Sequence, residues 1–97
     1  LRVLQRNYRV RGGEIDCIAL DGETLVFVEV RLRRNTRYGG AAASIDVRKQ
    51  RRIIRTAQIY LSTLARTPPC RFDVMLIEGA SGESMRWLKN AFDAQLG

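Results

Sequence analysis

Three charged residues stand where a strand pattern expects apolar ones. Asp16 interrupts the run Ile15-Asp16-Cys17-Ile18-Ala19-Leu20, and Glu29 and Arg31 interrupt Leu25-Val26-Phe27-Val28-Glu29-Val30-Arg31. Strand side chains alternate, so Glu29 and Arg31 share one face while Val28 and Val30 share the other. Asp21-Gly22 between the runs is a hairpin turn signal. A two-residue loop would pair Leu20 with Glu23 and leave Asp16 diagonal to Glu29. A four-residue loop would pair Leu20 with Leu25 and set Asp16 directly opposite Glu29. Either register gathers Asp16, Glu29 and Arg31 on one face. Side chains directly opposite stand about 5 Å apart, and like charges there repel. The two acids therefore call for a basic residue or a cation. Two hard carboxylates favour Mg2+ or Mn2+ over softer metals. A metal held there polarises a phosphoryl oxygen and lowers the pKa of a bound water. A nearby cation, Arg31 or Lys49, can stabilise charge developing at phosphorus.

The elements that must position these residues follow from spacing. Antiparallel strands are expected over about residues 2–10, 13–20 and 24–33, with Leu4, Tyr8 and Val10 toward the core. Residues 32–43, with Arg33, Arg34, Arg37 and Tyr38-Gly39-Gly40, read as a basic loop. A long helix follows, N-capped by Ser44 or Asp46 and ended by Pro68-Pro69. Ile53, Ala57, Tyr60, Leu61 and Leu64 form its apolar stripe. Lys49 and Gln50 precede that stripe by one turn, which points both toward the sheet at the helix start. Arg48, Arg52 and Arg55 form a basic row. Phe72 to Ile77 is apolar on both faces apart from Asp73, as a central strand is. It should run parallel to strand 24–31, with Asp73 paired to a basic neighbour or a helix end. Residues 78–83 form a loop, 84–88 a short last strand, and 90–96 a terminal turn or helix. The fold class is α/β with a mixed sheet of four to five strands, and residues 1–97 form a single domain.

Composition narrows the partners. The net charge is +7, nearly all the excess being arginine, which points to a polyanion, most simply nucleic acid. The basic loop and the arginine row can hold a phosphate backbone without reading sequence. No stretch approaches the ~20 apolar residues of a membrane span, and no signal-peptide pattern is present. The absence of histidine excludes His-dependent chemistry and the common zinc sites. Cys17 and Cys70, without CxxC spacing, suit a reducing, cytoplasmic setting. Each candidate has a plainer reading. Asp16, Glu29 and Arg31 can be a solvated, ion-paired sheet face. Lys49 can extend from the helix end with its stem packed. Glu14, on Asp16's face, sits near an exposed strand start. Tyr38 and Trp87 can stack on bases, although packing is the commoner use.

The ordered set Gly13-Glu14-Ile15-Asp16, Phe27-Val28-Glu29-Val30, Tyr38-Gly39, Lys49-Gln50, Arg71-Phe72-Asp73-Val74 and Asn90-Ala91-Phe92 resembles the bacterial YraN-like family over nearly the whole chain. That uncharacterised family is similar to the Holliday-junction resolvases, within the restriction-endonuclease-like, PD-(D/E)XK nucleases. The resemblance implies an α-β-β-β-α-β core whose first helix would precede Leu1. It implies Asp16, Glu29 and the Val30 carbonyl as ligands of Mg2+ or Mn2+, and a catalytic set of Asp16, Glu29, Arg31 and Lys49. Glu14 and Gln50 would be accessory. DNA, branched DNA included, is the implied partner, and the resolvase analogy implies a homodimer. Arg31 departs from the pattern, because it stands where these nucleases carry lysine. An arginine guanidinium keeps its proton and is a poor general base. Two readings follow: a metal-dependent endonuclease in which Lys49 substitutes, or a catalytically silent nucleic-acid-binding module in which Arg31 neutralises the acids. A third is an interaction domain for an acidic protein.

Overall fold

The computed structural model describes residues 1–33, 45–79 and 81–93. Five strands and one helix follow in order: β1 (Arg2–Val10), β2 (Gly13–Asp21), β3 (Thr24–Arg33), α1 (Val47–Leu61), β4 (Cys70–Glu78) and β5 (Ser84–Phe92). They build one sheet in the order β1-β2-β3-β4-β5. Every pair is antiparallel except β3 and β4, which run parallel. A parallel pair needs a crossover, and α1 lies within it.

Leu20 pairs with Leu25 and Asp21 with Thr24. Gly22 and Glu23 are thus left at the tip, where Gly22 takes φ 61°. This is the register with the acids opposed. Asp46 caps α1, accepting the Lys49 N–H at 2.8 Å, while Ser44 lies outside the described residues. The helix ends at Leu61, well before the prolines. There the Ser62 and Thr63 hydroxyls donate to the Ile59 and Tyr60 carbonyls, among the last acceptors of the ending helix. Leu64 still packs against the core from beyond the helix.

The core lies between α1 and one face of the sheet. Ile53, Ile54 and Ala57 of the helix meet Ile15, Ile18, Leu25, Phe27, Phe72 and Val74. Tyr60 sets its ring edge-on to Tyr8 at 5.2 Å and to Phe27 at 6.1 Å. Phe27, Phe72 and Phe92 stack in sequence, at 5.5 Å and 4.9 Å. The turn between β1 and β2 lies tight against the helix, because a Cβ on Gly13 would run into the Thr56 side chain.

Three expectations need correction. Leu4 is exposed, and β1 reaches the core through Tyr8 instead. A register shift between Val3 and Gln5 and the positive φ of Asn7 break the alternation that would have kept them together. The last strand is longer than residues 84–88, and residues 90–92 are strand rather than a terminal turn or helix. Phe92 pairs across from Phe72, so stacking extends the ladder past a bend at Asn90, φ 55°; residues 94–97 lie outside the described residues. Asp73 is fully buried and paired as expected, but by more groups than one basic neighbour. Arg71, the Trp87 indole N–H and the Asn90 backbone N–H all donate to it. Cys17 and Cys70 are free thiols. Among the described residues no helix is long and apolar enough to cross a membrane.

Candidate functional site

Ile15 and Ile18 are both wholly buried in the same core. Residues three apart on a regular strand face opposite ways, so β2 must turn over between them, at Asp16-Cys17. Tyr8 pairs with Ile15 and Arg6 with Cys17, which sets Asn7 across from Asp16. Asn7 has φ 52°, a left-handed conformation that asparagine tolerates better than most residues. The two strands therefore twist at one place, and Asp16 is the residue that the twist delivers.

The β2–β3 ladder ends with Cys17 opposite Val28. One step further the Asp16 side chain takes over from the backbone, accepting the Val30 N–H at 2.8 Å. The N–H and C=O of one strand residue leave on the same edge, so the Val30 carbonyl also projects toward Asp16. Glu29 continues the register opposite Asp16 and is 7% exposed. Lys49 reaches it from the first turn of α1, with Nζ 3.4 Å from Oε1.

The electrostatics follow from this crowding. Burial pushes the Glu29 carboxyl up to about 7, helped by the Asp16 charge and by a hydrogen bond to Asp16; Lys49 pulls it partly back. Near neutral pH, Glu29 is thus protonated about half the time. A protonated Glu29 donates to Asp16.

The other expected residues separate. Arg31 keeps the face that Glu29 has but is half-exposed, and it makes no hydrogen bond or ion pair with another described residue. Lys49 is the cation that meets the acids. Gln50 does not join the site: its amide donates to the Ile45 carbonyl at 2.8 Å, tying down the approach to the helix. Glu14 is exposed and ion-paired to Arg9 at 3.2 Å. Arg33 closes β3, while Arg34 and Arg37 lie outside the described residues. Arg48, Arg52 and Arg55 lie exposed along α1. Sequence reasoning missed Arg51, which shares a groove with them. The signal was present, because residues 47–61 contain no acid at all.

Among the described residues, no three acid, cysteine or histidine side chains converge as a metal site. A two-carboxylate set completed by the Val30 carbonyl is nevertheless all oxygen, the donor type that Mg2+ and Mn2+ take. The Glu29 carboxyl, pushed up to about 7 beside the Asp16 charge, is also short of positive charge, so a divalent cation fits there.

A mixed α/β domain, with a buried glutamate beside an aspartate at the end of a hairpin and a helix carrying only basic charges, is the class these features define. The chain belongs to the uncharacterised protein family UPF0102, whose model matches residues 1–77. It is similar to a UPF0102 protein of Nitrosospira multiformis, 54% identical over 93 residues, 96% of this chain and 78% of that one. A UPF0102 protein of Cupriavidus taiwanensis is 56% identical over 96 residues, 97% of this chain and 70% of that one. One of Pseudomonas fluorescens is 51% identical over 98 residues, 97% of this chain and 80% of that one.

Proposed function

We propose that this is a nuclease-like domain of the restriction-endonuclease-like kind, which binds DNA and hydrolyses phosphodiesters with Mg2+ or Mn2+. The observation that carries the reading is the Asp16–Glu29 pair, in which Glu29 is buried, crowded by the Asp16 charge and met by Lys49. Asp16, Glu29 and the Val30 carbonyl would hold the ion. When bound, the metal would polarise a phosphoryl oxygen and make a bound water more acidic.

The chain's own residues divide the remaining work. Glu29 must release its proton to become a ligand, so metal binding should liberate a proton near neutral pH. Lys49, then no longer needed to balance Glu29, can turn its ammonium toward the phosphate oxygens. Arg48, Arg52 and Arg55 supply backbone contacts that do not depend on sequence. Arg31 has no partner among the described residues to compete with a phosphate, but as a guanidinium it is not the base.

The test combines Mn2+ titration with cleavage of linear, nicked and four-way DNA. Wild type should bind Mn2+ and cleave, and Asp16→Ala and Glu29→Ala should do neither. Equal Mn2+ binding by all three proteins removes the metal site. Lys49 already pairs with Glu29 without a metal, which favours the silent binding module as the second reading. DNA binding without cleavage in wild type, with cleavage appearing in Arg31→Lys, would select it.

A further inference from the structure

A cleft of about 430 Å³ opens between the β1–β2 turn and the first turns of α1, and Lys49, the partner of Glu29, lines it. Arg9, Gly12, Gly13 and Glu14 form one wall, and Lys49 and Arg52 the other. The close packing of Gly13 on Thr56 sets the distance between the walls. Arg52 also lines a second groove, of about 340 Å³, with Arg48, Arg51 and Arg55. These four arginines make no ion pair with a described residue, and Arg48, Arg52 and Arg55 follow one another about a helical turn apart, roughly 4.5–6 Å along the axis. Uncompensated guanidinium groups this close repel one another, a cost that an anionic ligand removes. Glu14 is the exception to the positive lining, and it is spent on Arg9.

We propose that this cleft seats one phosphate of a nucleic-acid strand, that Arg52 hands the strand on to the Arg48–Arg51–Arg55 groove, and that the Glu14–Arg9 pair holds the affinity down. The strand therefore passes from Lys49 along α1 and not across the sheet. Arg52 acts as a positioning residue because it belongs to both basins. Glu14 acts as a brake: its carboxylate occupies Arg9 and repels a phosphate entering the cleft. This inference takes its ligand from the function proposed above, but it does not need the metal or the cleavage step.

The experiment measures binding of a short fluorescein-labelled single-stranded oligonucleotide by anisotropy across a salt series, without divalent metal. Arg52→Gln should weaken binding roughly tenfold and lower the salt slope by about one. Glu14→Gln should tighten binding by about threefold. Unchanged affinity and slope in Arg52→Gln, or unchanged or weaker binding in Glu14→Gln, overturns the proposal. A single phosphate is the other source of the same chemistry. A mononucleotide competing as well as the oligonucleotide, at equal phosphate concentration, overturns the strand as occupant. Both residues are exposed, and far-UV circular dichroism confirms that each variant is folded. Mn2+ titration of the same proteins separates the failures. Intact Mn2+ binding with unchanged oligonucleotide binding sinks this path alone, whereas absent Mn2+ binding with the expected oligonucleotide shifts sinks only the metal reading.

Discussion

Replacing Glu29 by glutamine should stabilise the protein in alkaline solution and do little in acid. Folding raises the Glu29 carboxyl from 4.5 to about 7, chiefly by burial. Between those values the folded state binds more protons than the unfolded state, so stability falls as pH climbs through them. The gap corresponds to about 3 kcal/mol, present as a cost above the folded value and absent below the unfolded one. Glutamine keeps the shape, stays neutral, and offers an N–H to Asp16 where protonated Glu29 offers its O–H. The lost Lys49 pair matters little, because that ammonium is already partly in water. Urea denaturation followed by circular dichroism, without divalent metal, should find the two proteins within about 1 kcal/mol near pH 5. Near pH 9 the variant should lead by about 3 kcal/mol, which for a domain of this size is more than roughly 10 °C in Tm. Mn2+ should restore wild type at alkaline pH and leave the variant unmoved. An equal difference at both pH values, or a wild type more stable at alkaline pH, would refute the reasoning.

Two further outcomes follow from the same structure. Lys49→Met removes the charge that pulls Glu29 down, so a carbon-detected NMR titration should place that carboxyl higher than in wild type; an unchanged or lower midpoint means that Lys49 does not reach it. Asp73→Asn leaves Arg71 facing a neutral amide and puts an NH2 group where an acceptor is needed by Trp87 or Asn90. Breaking a buried charged pair this way should cost about 3–5 kcal/mol in denaturant unfolding, and a loss under about 1 kcal/mol would show the network to be dispensable.

The elements were legible where one rule acted alone. Alternation gave β2 and β3, a run apolar on both faces gave β4, and helical spacing with Asp46 gave α1. The turn signal left two registers open, and the fold takes the one in which Asp21 still pairs, with Thr24. Arg31 and Lys49 show where local rules stop. Both are basic and both point toward the acids by period, but a sequence does not say how far a sheet twists between Glu29 and Arg31, nor how close a helix start docks. Tertiary packing settled that in favour of Lys49. Asp16 was found for a partly mistaken reason. Uniform alternation along β2 would put Ile15 on the face away from Ile18, and the structure buries both together by turning the strand at Asp16. Asn7, on the neighbouring strand, marks that turn, and an asparagine in a strand pattern is the one sign of it in the sequence. The length of β5 was missed because Asn90 reads as a stop, while the contacts that carry the strand past it, Phe92 on Phe72 and Asn90 on Asp73, are long-range.

The bond from Val30 N–H to Asp16 gives that aspartate a second job that Glu29 lacks. It closes the hairpin where the backbone ladder runs out, so losing it would leave an amide without an acceptor whether or not any reaction occurs. Glu29 is the reverse, an ionised group the fold would be more stable without. Gene copies freed from selection for chemistry should therefore shed Glu29 first and keep Asp16. Across relatives the glutamate, not the aspartate, is the position that would mark which ones still have a use for the pair.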